Sequence, residues 1–253
     1  MSLPKLEEPS LLTDQVFKAI RTAIMNGEMP AGYRLRIRDL AAQVGTSVMP
    51  VREAIRRLEE AGLAERVPHK GAVVKGLGLT ELAHLYDVRR LMEVEAARLG
   101  AQSIEPADVD RMQQEYDQMR AAIDAEQAIA VLDHDEALLT ILYQASGNPV
   151  LVSTIQALWE RCRSYKIVGA RATLTADDKT PLWSFQAQLL EAARNNEPGL
   201  AARVNNESLL NATARIRDQL AVETAAGKGV PLRGSSSTGL TPIAADGRPL
   251  SAE

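Results

Sequence analysis

Six segments between residues 79 and 224 repeat apolar residues with the spacing of an α-helix. They run Leu79 to Ala101, Pro106 to Gln127, Ile129 to Ser146, Val150 to Ile167, Pro181 to Asn195 and Gly199 to Thr224. Breaks such as Ser-Gly-Asn-Pro and Asn-Asn-Glu-Pro-Gly separate them. Only 4% of residues are aromatic, and helix-forming Ala, Leu, Glu and Arg abound. The pattern predicts an all-helical bundle of roughly six helices.

A different pattern precedes this bundle, with three shorter helical segments and then two strands. The first helix carries an apolar residue at every fourth position, namely Leu12, Val16, Ile20 and Ile24. The second is predicted over Ile37 to Val44, and the third from near Pro50 to Gly62, because proline suits the first helical position. Two short strands flank Pro-His-Lys-Gly, which is typical of a tight turn. Three helices and a hairpin predict a winged helix-turn-helix.

These patterns divide the 253 residues into four parts. A flexible arm over residues 1–10 precedes the winged helix-turn-helix over 11–78, and the helical domain follows over 79–223. Residues 224–253 are rich in Gly, Ser and Pro without periodicity, so we expect a disordered tail. The predicted fold is therefore mostly α.

The formal net charge of -4 is unevenly distributed. Residues 1–78 hold 12 Lys and Arg against 9 Asp and Glu, whereas the remainder holds 17 against 24. A basic end on an acidic body favours a nucleic-acid-binding module carried by a larger domain. The single cysteine, Cys162, excludes an internal disulfide, and no stretch has the ~20 apolar residues that span a bilayer. We expect a cytoplasmic protein without membrane contact.

The third predicted helix has one basic face. Arg52 and Arg56 are four residues apart and share a side opposite the apolar stripe of Val51, Ile55 and Leu58. Such a helix can enter the major groove of DNA and read base edges. The spacing alone leaves open an alternative in which these arginines pair with surface carboxylates at Glu53, Glu59 and Glu60.

The order of motifs is more specific than the charges. In sequence, the chain has Gly27, Gly32 and Leu35, then Asp-Leu-Ala at 39–41, Gly45, Ser47, Pro-Val-Arg-Glu-Ala at 50–54, Gly62-Leu63 and Gly71. This stretch of about 65 residues resembles the DNA-binding domain of GntR-family bacterial transcription regulators. The resemblance implies a regulator of transcription, here a metabolite-responsive repressor, that binds double-stranded operator DNA as a homodimer.

The resemblance also implies roles for individual residues. Arg38 and Arg52 match the family's major-groove arginines, and an arginine fork is the commonest reader of guanine. Phosphate or minor-groove contacts are implied for a second set: Ser47, His69, Lys70 and Gly71. Two positions depart from the family pattern, because Val48-Met49 replaces Arg-Thr and Ile37 replaces a glutamate. We expect a changed operator preference or lower affinity, because Val48 stands where an arginine is usual; Met49 beside it is a further predicted DNA contact.

The helical domain resembles the C-terminal domain of the FadR subfamily, the FCD domain. Glu-Leu-Ala-His-Leu-Tyr-Asp-Val-Arg-Arg-Leu-Met-Glu at 81–93 matches its first helix, and the segment ending in Ser-Gly-Asn-Pro matches its fourth. Many members hold a metal there through Asp-x-x-x-His and two further histidines. The corresponding positions here are Asp135, Leu139, Gln186 and Ser208, and only His69, His84 and His134 occur in the chain. We therefore predict no metal and no other cofactor.

Without a metal, an anionic effector needs another cation. The resemblance places Arg89 at the position that points into the bundle, where its fork can bind a carboxylate. The other predicted effector ligands are Asp135, Gln186 and Ser208. An alternative stays open, in which Arg89 forms a structural ion pair with Glu93 or Asp135. The predicted effector is a small organic acid.

Two other functions compete with this interpretation. The helical domain could serve dimerisation only. An enzyme could instead use Cys162 with His134, or Asp133 with Asp135, but neither pair lies in a recognisable catalytic motif. We therefore expect no enzymatic activity.

Overall fold

A computed structural model of the chain describes residues 10–225. The predicted arm up to residue 9 and the predicted tail from residue 226 lie outside the described residues. Within them, three helices and a hairpin are followed by six further α-helices. This architecture confirms the predicted fold class of a winged helix-turn-helix joined to a helical bundle.

The N-terminal domain contains helices α1 (Ser10–Met25), α2 (Ile37–Val44) and α3 (Val48–Glu60). Strands β1 (Ala64–Val67) and β2 (Gly71–Val74) follow as an antiparallel hairpin, with Ala64 opposite Val74 and Val67 opposite Gly71. Arg34 forms an isolated bridge to Val73, which ties the loop between α1 and α2 to the hairpin. The hairpin is the wing of the domain.

The predicted apolar stripes meet in one core of this domain. It combines residues from all five elements: Val16, Ile20, Ile24, Leu40, Val51, Ile55, Leu58, Ala64 and Val74. Because Val51, Ile55 and Leu58 point into this core, the opposite side of α3 is left in solvent.

Helix α3 begins two residues earlier than predicted. Its first residue is Val48, and Ser47 is the N-cap without a side-chain hydrogen bond to the helix. Pro50 is therefore the third helical residue and not the first. The first four N–H groups of a helix lack partners within the helix, so proline loses no helical hydrogen bond there. As a result, Val48 and Met49 belong to the exposed first turn.

The bundle contains α4 (Leu79–Ser103), α5 (Pro106–Asp124), α6 (Ala128–Gln144), α7 (Pro149–Leu174), α8 (Ser184–Arg194) and α9 (Pro198–Ala225). None of the helices between residues 10 and 225 is both long and apolar enough to cross a membrane. Most of the bundle's core lies between α4, α6, α7, α8 and α9.

All six helices of the bundle differ from their predicted bounds at one or both ends, and α7 and α8 show the clearest differences. Helix α7 continues to Leu174, past the predicted end at Ile167, because Ala170 and Leu174 extend its buried stripe. The helix predicted from Pro181 is interrupted, since a single 3-10 turn over Thr180–Leu182 precedes α8. Trp183 between them has extended φ, and its ring lies 4.2 Å below the guanidinium of Arg120.

Gly100 sets the distance between α4 and α6. A Cβ atom at this position would lie 2.0 Å from the carbonyl oxygen of Leu142. Only glycine permits this approach of the two backbones. The close packing therefore joins α4 to α6 near Leu142, at the C-terminal end of α6.

Candidate nucleic-acid interface and effector site

The exposed side of α3 carries Arg52 and Arg56, as the spacing predicted. Arg38 is exposed in the first turn of α2. The side chains of Arg38 and Arg52 form no hydrogen bond or ion pair with other residues between 10 and 225. Both guanidinium forks are therefore available for a phosphate or a guanine base.

Arg56 is engaged within its own helix. Its Nε donates to Glu53 at 2.9 Å, and it forms ion pairs with Glu53 and Glu60. The hydrogen bond that Arg56 donates to the Glu53 carboxylate raises the pKa of Arg56. This is the alternative that the sequence left open, so a DNA contact by Arg56 would require exchange of these solvent-exposed partners. Its role at DNA stays a prediction.

The first turn of α3 presents two apolar side chains, and the first of them, Val48, stands where the family pattern has a cation. Met49 is 66% exposed, and Val48 and Ser47 are also exposed. The positive end of the helix dipole lies at this turn. Met49 can therefore contact a base or sugar by its apolar surface but cannot donate a hydrogen bond to either.

The turn of the wing is exposed and tightly closed. The backbone N–H of Lys70 donates to the carbonyl of Val67 at 3.0 Å, while His69 and Gly71 adopt φ of 62° and 76°. Positive φ at Gly71 favours glycine. His69 and Lys70 are exposed beside it. The geometry fits a loop that touches the DNA backbone, and these three contacts stay predictions.

Among the predicted effector residues, Arg89 is committed to internal partners. Its residue is 5% exposed, its Nε donates to Glu93 Oε1 at 2.7 Å, and its Nη1 lies 3.5 Å from Cys162 Sγ. The guanidinium also stacks on Tyr86 at 4.4 Å. The structure thus shows the ion pair that was the alternative role for Arg89. A ligand could bind Arg89 only by replacing Glu93.

The side chains of Asp135 and Gln186 are hydrogen-bonded, although the two residues are 51 positions apart in the chain. Gln186 Nε2 donates to Asp135 Oδ1 at 2.6 Å, and Lys166 Nζ donates to Asp135 Oδ2 at 3.3 Å. Lys166 also donates to Glu136 at 2.9 Å. The two carboxylates raise the pKa of Lys166 despite its burial, so its ammonium stays charged.

One polar atom in this cluster of Asp135, Gln186, Lys166 and Glu136 lacks a hydrogen-bond partner among residues 10–225. The Oε1 atom of Gln186 is buried and accepts no hydrogen bond from residues 10–225. A buried acceptor without a donor is costly, so it marks a place where a donor can bind. Ser208 is half-buried on α9, and no hydrogen bond or ion pair recorded in the described chain joins it to Asp135 or Gln186.

Glu93 organises a second buried group that sequence reasoning missed. Its Oε1 accepts from Trp159 Nε1 at 2.8 Å, and its Oε2 accepts from Tyr143 at 3.2 Å. Asn205 donates to Tyr143 Oη and to the Glu93 carbonyl, each at 2.8 Å. Burial and the neighbouring Glu93 charge raise the pKa of the Tyr143 hydroxyl. These bonds fix α4, α6, α7 and α9 around one carboxylate.

The positions that correspond to the family's metal ligands do not fit a metal. Asp135 is already bonded to the Lys166 ammonium, and Leu139 is a core residue at 6% exposure. Within residues 10–225, no three His, Cys, Asp or Glu side chains cluster in a way that could hold a metal ion. The Lys166 ammonium already bonds the carboxylate of Asp135, which would be the metal ligand.

Cys162 lacks the properties of a catalytic nucleophile. Burial raises the pKa of its thiol, whereas a nucleophile needs a lowered pKa and an accessible thiolate. The histidine proposed with it, His134, is bonded through Nδ1 to Glu115 at 2.7 Å. The two carboxylates of the other proposed pair, Asp133 and Asp135, bind Arg163 and Lys166 respectively.

Lys166 and Arg163 were the main residues that sequence reasoning overlooked. Lys166 follows Trp159 and Cys162 at helical spacing on a stripe that is otherwise apolar. A lysine at such a position is a usable signal, because a buried ammonium requires carboxylate partners. The partners Asp135 and Glu136 lie on another helix, which one sequence does not reveal.

Two family models match the chain. "Bacterial regulatory proteins, gntR family" matches residues 12–74, which contain the winged helix-turn-helix. "FCD domain" matches residues 84–211, which lie within the helical bundle.

Two characterised relatives share part of this sequence. The chain is 27% identical over 150 residues to the HTH-type transcriptional regulator McbR of Escherichia coli (strain K12), covering 59% of this chain and 68% of McbR. It is 39% identical over 90 residues to the probable D-xylose utilization operon transcriptional repressor of Paenarthrobacter nicotinovorans. That match covers 36% of this chain and 40% of the repressor.

The fold is also that of a solved regulator. The structure of E. coli McbR/YncC superposes with a TM-score of 0.70 at 23% identity, covering 83% of this chain and 98% of that one. The paired domain matches and this shared fold lead to one assignment. The chain belongs to the GntR family of bacterial transcription regulators, within the group that carries an FCD domain, and it is a DNA-binding regulator and not an enzyme.

Proposed function

We propose that this regulator is a metabolite-responsive repressor, which binds operator DNA as a homodimer and changes its DNA affinity when a small carboxylate binds the bundle. The proposal rests on a contrast between the two domains. Arg38 and Arg52 of the winged domain are exposed without partners in residues 10–225, whereas Gln186 Oε1 in the bundle is a buried acceptor that lacks a donor there. Repression is supported by the name of the D-xylose relative.

The proposed DNA contacts follow from exposure. Arg38 and Arg52 read bases in the major groove. Met49 makes an apolar contact with the DNA between these bases and the sugar-phosphate backbone. Phosphates are bound by a second set of groups: Ser47, Arg56, His69, Lys70 and the backbone at Gly71. Loss of one bidentate arginine contact costs about 1–3 kcal/mol of discrimination, so Val48 in place of that arginine makes the operator differ from the common family site.

The proposed effector site centres on Asp135, Gln186 and Lys166. A ligand carboxylate accepts from Lys166 in exchange for Asp135, whose contact of 3.3 Å is longer than that of Glu136 at 2.9 Å. A hydroxyl or amino group of the same ligand donates to Gln186 Oε1. Arg89 and Ser208 join the site only if the ligand is long enough to reach them.

The proposal includes binding without a metal. The Lys166 ammonium supplies the fixed positive charge, and the carboxylate that could hold a metal is already bonded to it. Elemental analysis of purified protein tests this directly. One stoichiometric transition metal per chain would show that the inference is wrong.

Dimerisation is proposed from an exposed apolar surface on α4 and α9. Val88 is 45%, Leu91 67% and Leu210 45% exposed, and Arg90 bonds Asn206 beside them. Burial of such a patch against a second copy removes apolar area from water. Sedimentation of wild type and Leu91→Glu should show a dimer and a weakened dimer, respectively, and a monomeric wild type would exclude this part.

The effector proposal is tested by ligand titration with calorimetry. Lactate is the positive probe, propionate lacks its hydroxyl, and lactamide lacks its charge. We expect lactate to bind more tightly than either, and Gln186→Leu to remove the advantage of lactate over propionate. Glu191→Gln, an exposed change on the same helix, is the control. Equal binding of all three probes, or none, would contradict the proposed site.

A further inference from the structure

Arg163 lies where the bundle meets the DNA-binding domain. Its side chain is 5% exposed, and its Nε donates to the carbonyl oxygen of Met25 at 3.0 Å. Met25 is the last residue of α1. The final carbonyls of a helix lack partners within it and carry partial negative charge, so a guanidinium there holds the helix end.

The other two nitrogens of Arg163 are held by α6. Nη1 donates to Glu136 Oε2 at 2.8 Å, and Nη2 forms an ion pair with Asp133. Because a guanidinium is planar, two bonds to α6 fix the direction of its third bond. The position of the Met25 carbonyl is thereby set relative to α6.

A second contact between the same helices is weaker. Arg21 of α1 bonds Glu160 of α7, but their side chains are 37% and 26% exposed. Ion pairs with this exposure are screened by water and contribute little. Arg163, one turn farther along α7, is a buried polar contact between the domains.

Glu136 connects Arg163 to the proposed effector site. One of its oxygens accepts from Arg163 and the other from Lys166. Lys166 in turn bonds Asp135, which accepts from Gln186. A continuous series of polar contacts therefore runs from Gln186 to the end of α1.

Space for movement lies beside this contact. A cavity of about 720 Å³ separates α1 from α5, α6 and α7, and its lining includes Thr22, Met25, Glu136, Gln156 and Arg163. The winged domain, which carries α1, has this space on the side that faces the bundle, so its movement there need not first displace packed side chains of the bundle.

We propose that Arg163 is the positioning residue that sets the orientation of the DNA-binding domain on the bundle, and that Glu136 transmits ligand binding at Lys166 to it. The first half of this proposal depends only on the contact with Met25. The second half rests on the proposed effector function. When a ligand carboxylate replaces Asp135 at Lys166, Glu136 shifts, and the direction of the Arg163 fork changes with it.

Hydrogen exchange tests the first half without DNA or ligand. Arg163→Lys keeps the charge but cannot bond three acceptors in a plane. We expect the amides at residues 24–28 to exchange about tenfold faster than in wild type, the effect of losing one buried charge-assisted hydrogen bond. Arg98→Lys, which alters an exposed pair with Glu95, is the matched control.

A second variant tests the same contact if Arg163→Lys does not fold. Asp133 is 56% exposed, so Asp133→Asn removes one partner of Arg163 at a site that tolerates change. It should accelerate exchange in the same segment by a smaller factor. Unchanged exchange at residues 24–28 in both variants would overturn the assignment of Arg163.

Operator spacing supplies a readout that a loss of stability would not change. Duplexes with two selected half-sites are prepared with increasing separation, and affinity is measured at each. Wild type should prefer one separation, and Arg163→Lys should bind several almost equally. A uniform loss of affinity at every separation would contradict a positioning role.

The ligand link is tested separately with lactate. Lactate should accelerate exchange at residues 24–28 in wild type but not in Glu136→Gln. If lactate binds and leaves this segment unchanged, the link through Glu136 is wrong. If lactate does not bind, the proposed effector function fails, while the two Arg163 experiments still decide on domain orientation.

Discussion

Arg38 and Arg52 of the winged domain are exposed and bond to no other residue between 10 and 225, whereas Arg89 and Arg163 of the bundle are buried among carboxylates. The same side chain therefore serves two purposes in one molecule. A solvated guanidinium can exchange water for phosphate or base at low cost, but a buried one must keep its carboxylate. The difference indicates that DNA binding and domain coupling depend on separate sets of arginines.

The largest expected effect comes from breaking a buried pair. Glu93→Gln leaves the Arg89 charge without its carboxylate, which should lower the free energy of unfolding by about 3–5 kcal/mol. Chemical denaturation measures this. The control is Glu95→Gln on the same helix, whose exposed pair with Arg98 should contribute less than about 1 kcal/mol. Similar losses for both variants would remove the contrast between buried and exposed pairs.

Removal of a free arginine should weaken DNA binding and leave the free energy of unfolding almost unchanged. Arg52→Ala should weaken binding to a selected duplex by about 1–3 kcal/mol. Its free energy of unfolding should change by less than about 0.5 kcal/mol, because the side chain is exposed and unpaired within the described chain. Fluorescence anisotropy and denaturation measure the two quantities. An Arg52→Ala protein that unfolds more easily yet binds DNA normally would assign Arg52 to stability.

A smaller effect is expected from adding a cation to the recognition helix. Val48→Arg places a donor at a side chain that is 40% exposed, so affinity should rise by about 1 kcal/mol, the low end for a base contact. Selection from random DNA should return a site closer to the common family operator for the variant than for wild type. Wild type that already selects the common site at ordinary affinity would disprove the role given to Val48.

The smallest effect concerns acid stability. Lys166 and Arg163 hold the pKa of Glu136 below its ordinary value of 4.5, against the effect of burial. A carboxyl with a lowered folded pKa stabilises the protein above its unfolded pKa, and this contribution disappears as the pH falls through the folded value. Glu136→Gln should therefore be less stable than wild type at neutral pH but lose less stability below about pH 4.5. An equal loss of stability on acidification in wild type and Glu136→Gln would contradict the lowered pKa of Glu136. Glu105→Gln, at an exposed site, is the control.

The elements of this fold were predictable because their signals are local. The stripe from Val16 to Ile24 and the positive-φ glycine at Gly71 follow from periodicity and turn chemistry. The start of α3 was misplaced because proline is tolerated anywhere in the first turn, so Pro50 marks the turn but not the first residue.

The candidate site was less predictable because its partners come from distant segments. Arg89 and Glu93 lie four residues apart, so their pairing was foreseen as an alternative. The contacts of Lys166 with α6 and of Arg163 with Met25 join residues 30 or more positions apart. Nothing in helical periodicity specifies which helices meet, and the apolar stripe of α7 conceals its two buried cations.

The salt dependence of duplex binding tests the contrast between the two sets of arginines most directly. Affinity is measured against salt concentration for wild type, for Arg38→Ala/Arg52→Ala, and for the bundle control Arg98→Ala/Arg194→Ala. We predict that the first variant binds the selected duplex more weakly at every salt concentration, with a slope close to that of wild type because the phosphate contacts remain, while the control matches wild type in both quantities. Equal affinity and slope for all three proteins would contradict the assignment of the free arginines to DNA.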